Sequence, residues 1–139
     1  MRRLALYPVV VALAGLGLAS SSVGQDNPTG ADAFRTTCAV CHGSGGQGDG
    51  EFADVMTVKP PNLTLLSEKY GEFPYLRVFH AVDGRTTIPA HGSRVMPIWG
   101  DYFRLKAEEA GGGKGGSENE LLIRAQIVAL VDYVQSLQK

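Results

Sequence analysis

Cys38-Ala39-Val40-Cys41-His42 holds the only two cysteines of the chain, with a histidine directly after the second. What the chain can fold around depends on what those thiols do. A disulfide between them would close only a four-residue loop, which restricts the unfolded chain very little. A tetrahedral zinc site needs four ligands, or three and a water, and adjacent Cys41 and His42 do not easily reach one ion together. A redox dithiol of this spacing belongs at a strand-to-helix junction in a βαβ unit, and no such pattern flanks this one. Covalent haem attachment meets neither objection. Thiols at i and i+3 share one helical face and reach the two vinyl groups on one porphyrin edge, while the next histidine offers its imidazole to iron. Cysteine spacing and histidine together arise in about three of ten thousand shuffled chains of this composition.

The N-terminus is a separate unit. Met1-Arg2-Arg3 is basic, Leu4 to Ala19 is apolar, and small residues follow to Gly24. This pattern predicts a secretory signal over residues 1–24, removed to leave one domain over 25–139. The alternative is a retained membrane anchor. Sixteen helical residues reach about 24 Å against a hydrocarbon core of roughly 30 Å, and Pro8, Gly15 and Gly17 weaken such a span. Loss of Arg2 and Arg3 leaves 11 basic against 14 acidic side chains, a net charge of −3. Nucleic acid is therefore not an expected partner.

Periodicity predicts an all-α domain. "TGADAFRTTCAVCH" reads as a helix from Thr29, with Thr29 and Asp32 in capping-box spacing. The glycines of "GSGGQGDG" end it after His42. A short element is expected at about 65–69, and a helix from Pro74 to the stop at Gly84. Residues 85–99 read as a loop, and 107–116, "AEEAGGGKGG", as a flexible glycine-rich insertion. That insertion lacks the strand and the Lys-Ser/Thr of a phosphate loop. The last helix opens at Ser117 and Glu120, a second capping-box spacing, and carries Ile123, Ile127, Leu130, Val134 and Leu137 on one face.

From Thr29 onward the chain resembles a class I c-type cytochrome, the monohaem, exported bacterial kind. "GADAFRTTCAVCH" is similar to that family's first helix, with Gly30 and Phe34 eight and four residues before Cys38. "PPNL" at 60–63 resembles its Pro-Asn-Leu turn, "VMPIWG" its distal-ligand loop, and "IVALVDYVQSLQ" its last helix. The resemblance implies a cytochrome c-like fold in which the N- and C-terminal helices cross, bringing Gly30 and Phe34 near Tyr133. Loops and short helices would wrap one covalently bound haem c. It also implies that the Pro61 carbonyl accepts a hydrogen bond from the unligated nitrogen of His42. The 86–94 segment and the 107–116 glycines depart from the compact members of the family. Both fall on the distal side.

The sixth ligand separates two classes of function. Met96 precedes a proline in a non-helical loop, 54 residues after His42, and its thioether would close the iron and raise its potential. His91, in the same loop, and His80, on the third helix, are the rival ligands. Met56 lies before the Pro-Asn-Leu turn, on the proximal side. With His42 and Met96 as axial ligands there is no vacant position for a substrate. The expected function is then periplasmic transfer of one electron between a donor and an acceptor redox protein, not catalysis on a small-molecule substrate. A haem subunit docked to a membrane respiratory oxidoreductase is the alternative. A haem enzyme or gas sensor would need a labile sixth ligand.

Overall fold

The computed structural model describes residues 28–85, 96–111 and 116–139. The expected leader at 1–24, the 86–94 segment and His91 lie outside them. Among the described residues all regular structure is helical, as the periodicity predicts. One helical segment opens the domain: α1 (Pro28–Ala33), a π turn over Phe34–Cys38, and α2 (Ala39–His42). A 3₁₀ turn (Leu63–Leu65) runs into α3 (Leu66–Tyr70), followed by α4 (Tyr75–Asp83), α5 (Trp99–Glu109) and α6 (Ser117–Ser136).

The spine is α6, against which α1, α4 and α5 all pack. Its residues Ile123, Ile127, Leu130, Val131 and Val134 are buried, each adding roughly 1.5–3 kcal/mol by leaving water. The expected face is thus the core face, with Leu137 partly buried beside it. Where α1 crosses α6 the backbones nearly touch. A Cβ on Gly30 would collide with the Ala129 carbonyl and come within 3.2 Å of Tyr133 Cβ. One turn on, the fully buried Phe34 ring lies 5.2 Å from that of Tyr133. These contacts are the ones expected of Gly30, Phe34 and Tyr133.

Pro74 precedes α4, and Gly84 ends it at φ 66°, a left-handed conformation that costs glycine little. The Tyr75 hydroxyl donates to Asp132 Oδ1 at 2.6 Å and ties α4 to α6. Burial, then this bond and the Asp132 charge, push the phenol up to about 12. At the other end of α4, Arg85 makes a two-pronged pair with Glu120 at 2.7 and 3.0 Å and a third bond to Asp83 at 2.5 Å.

Three expectations change. Helix α1 begins at Pro28, so Thr29 lies within it rather than capping it, and Asp32 pairs with Arg35. Proline suits a first helical turn because its ring presets φ. Likewise α6 is capped by Gly116 without a side-chain bond, and Glu120 turns to Arg85 and Arg124. In both places a guanidinium holds the acid more strongly than a neutral backbone amide would. Finally, α5 occupies 99–109, running from the end of the expected 85–99 loop, across 100–106 where no element was expected, into the first three residues of the expected 107–116 insertion. Its first apolar pair, Trp99 and Phe103, packs inward, but exposed Tyr102 and Leu105 blur the period.

The guanidiniums of Arg85 and then Arg124 hold Glu120 at about 2, well below its ordinary value. A depressed carboxylate contributes stability at pH values above its unfolded pKa and loses it as pH falls through the folded one. Glu120→Gln should therefore lower stability at pH 7 by about 1 kcal/mol, the small size reflecting solvent screening of a half-exposed pair. Thermal melts of the two proteins should converge as pH is lowered from about 5 to 2.

Candidate haem site

The last carbonyls of a helix have no partner within it, and here the glycine-rich loop supplies them. Ala39 takes the final helical bond, from the Gly43 N–H at 2.8 Å. The loop then folds back: Gly48 N–H donates to His42 O at 2.8 Å, Gly50 N–H to Cys41 O at 3.2 Å, and Phe52 N–H to Val40 O at 3.0 Å. Only glycine allows this approach at position 50, where a Cβ would stand 2.5 Å from Val40 O and 2.6 Å from Ala39 O. The segment carrying both cysteines and His42 is thereby clamped from outside.

Cys38 is buried and Cys41 half-buried, and both thiols are free. Burial pushes the Cys38 thiol up from its ordinary value. The His42 ring is buried, with Nδ1 3.3 Å from the Pro61 carbonyl oxygen. A carbonyl only accepts, so Nδ1 carries the proton and Nε2 keeps its lone pair. Burial also lowers the His42 pKa, against a smaller opposing pull from Pro61, which favours the neutral imidazole.

The residues just after Pro61 hold it in place. Asn62 Oδ1 accepts from the Thr64 N–H and hydroxyl at 2.9 and 2.8 Å, and the Leu63 N–H donates to Gly46 O at 2.7 Å. Gln138, next to the C-terminus, bonds Leu63 O at 2.7 Å and accepts from the Ser67 N–H at 2.9 Å. Nothing in the sequence pointed to Gln138, because its partners lie 75 and 71 residues away.

Met96 is half-buried against the hydrophobic core, two residues before the N-cap of α5. Trp99 also packs on the core, edge-on to Tyr102 at 5.6 Å. Of the other candidate ligands, His80 is exposed on α4, its ring 5.7 Å from Phe79, and Met56 is half-buried in the 51–58 segment. The donor set suits a haem: two unpaired thiols on one helix end, a neutral imidazole with its second nitrogen anchored, and a core-facing thioether. Cys38, Cys41, His42 and Met96 can hold it, with Pro61 fixing the histidine.

Gly50→Ala should push the loop off the carbonyls of α2 and lower the thermal stability of the haem-loaded protein by about 1–3 kcal/mol. Gly45→Ala, whose nearest contacts lie at 3.9 Å, should stay within about 0.5 kcal/mol of the unaltered protein.

Comparison with curated proteins and with solved structures gives no match. The family model for Cytochrome c matches residues 28–138, which include the clamped cysteines, His42, the Pro61 turn, Met96 and the α1–α6 crossing. The chain belongs to the cytochrome c family, whose members bind covalently attached haem c and use it for electron transfer.

Proposed function

We propose that this protein is a periplasmic carrier of single electrons, with haem tethered by Cys38 and Cys41 and its iron ligated by His42 and Met96. The observation that carries this reading is the state of His42. Its Nδ1–H is engaged by Pro61, its ring is buried and its pKa is lowered. Such a histidine presents an unprotonated Nε2 in a fixed orientation, as an axial ligand must. Bound haem supplies a one-electron iron couple. The chain keeps water out, and both tethers prevent loss of the group. The Met96 thioether, a soft donor, favours the ferrous state. A haem held by both His42 and Met96 would leave no ligand position open to a substrate, and the chemistry it would supply is transfer of one electron. Donor and acceptor are redox proteins.

Export follows from the basic, apolar and small-residue order of residues 1–24. N-terminal sequencing of the mature protein should begin near Gln25, whereas an intact Met1 would favour an anchored subunit.

The ligand assignment is tested by the visible spectrum of the oxidised protein. A weak far-red sulfur-to-iron charge-transfer band should be present, and Met96→Ala should abolish it and lower the reduction potential. If the unaltered protein lacks the band, Met96 is not the ligand, and the closed-site reading falls with it.

A further inference from the structure

We infer that Gln138, just beyond the end of α6, is a positioning residue for the His42 imidazole and through it sets the reduction potential of the site. This inference rests on the assignment of His42 as an axial haem ligand. Three segments meet at Gln138. Its Nε2 donates to Leu63 O at 2.7 Å and to Val134 O at 2.9 Å, and its Oε1 accepts from the Ser67 N–H at 2.9 Å. Carbonyls only accept and a backbone N–H only donates, so a single orientation of the side-chain amide satisfies all three. Its neighbours close on the same place. The Lys139 N–H donates to Thr64 O at 3.2 Å, and Leu137 lies over Gly46, where an added Cβ would come 3.1 Å from Leu137 Cδ1. The turn after Pro61 is thus fastened to the last turn of α6 rather than resting on it.

That fastening matters because the bond it supports is long. His42 Nδ1 stands 3.3 Å from Pro61 O, at the far end of hydrogen-bonding range, where strength falls quickly with further displacement. Asn62 Oδ1 ties Thr64 into the same turn at 2.9 and 2.8 Å, so Pro61 to Thr64 move as a unit. The Leu63–Gly46 bond holds one side of that unit to the glycine loop, and Gln138 holds the other to α6. Pro61 supplies the acceptor, but Gln138 fixes how close it stands. A ligand histidine whose Nδ1–H is engaged by a carbonyl has a more basic Nε2. A more basic donor favours the ferric state, so tightening this bond lowers the potential and loosening it raises the potential.

The test uses the haem-loaded protein, matured in a host that makes c-type haem. Solvent exchange of the His42 Nδ1–H is read by proton NMR of the reduced, diamagnetic protein, and the reduction potential by spectroelectrochemical titration. Gln138→Met, similar in length but without the amide, should speed that exchange roughly tenfold, the scale set by losing one or two net hydrogen bonds. It should also shift the potential upward. Gln138→Asn keeps the amide but draws it back by one methylene. It should move both readouts in the same direction, and it gives a reading even if Gln138→Met accumulates poorly. Ser136→Ala removes a hydroxyl at the same helix end, where it donates to Tyr133 O, and should leave both readouts unchanged. An unchanged exchange rate or an unchanged potential in both Gln138 variants would overturn the inference. So would equal changes in Ser136→Ala, which would point to general fraying of the helix end. If the unaltered reduced protein shows no ring-current-shifted His42 signals, His42 is not on the iron and the underlying site assignment fails instead.

Discussion

The backbone contact between α1 and α6 at Gly30 is the constraint on which the remaining structure depends. Helices that approach this closely lock each other in rotation as well as in distance, because no side chain cushions the crossing. The Phe34 and Tyr133 rings then meet one turn further along, inclined at 54°. Once α1 is fixed on α6, the direction in which the chain delivers Cys38, Cys41 and His42 is set to within the freedom of a single helical turn. The π turn uses up that freedom. Everything on the proximal side of the site is built outward from this crossing.

Backbone bonds do most of the positioning around the site. The carbonyls of Val40, Cys41 and His42 are claimed by amides of the glycine-rich loop, and the Pro61 turn is joined to the same loop through Leu63 and Gly46. Gln138 closes the circuit from the far end of the chain. The His42 imidazole is therefore oriented through its link to a turn that two separate segments hold. A side chain so held keeps one orientation, because each group that fixes it is itself fixed by the backbone.

The elements that could be read early are those with a local signature. The cysteine pair with its histidine, the glycine stop after His42, the Pro74–Gly84 bracket around α4 and the apolar stripe of α6 each depend on residues close in sequence. What could not be read has the opposite character. Helix α5 was obscured because exposed Tyr102 and Leu105 break the period that Trp99 and Phe103 begin. Both capping boxes had the right spacing, yet their acids turned to Arg35 in one case and to Arg85 and Arg124 in the other. Arg85 lies 35 residues from Glu120, and only folding places the guanidinium there.

By itself, then, the sequence determined the helical class and the chemistry of the donor groups, because helix periods, turn residues and attachment motifs act over a few residues. The tertiary structure decided the phase and orientation of those groups. The π turn before Cys38 reconciles two clamps, one from α6 and one from the loop. The Pro61 carbonyl meets His42 across 19 residues through a turn that Gln138 helps to hold. Both are long-range agreements between backbone groups, which every residue carries and no side-chain pattern records.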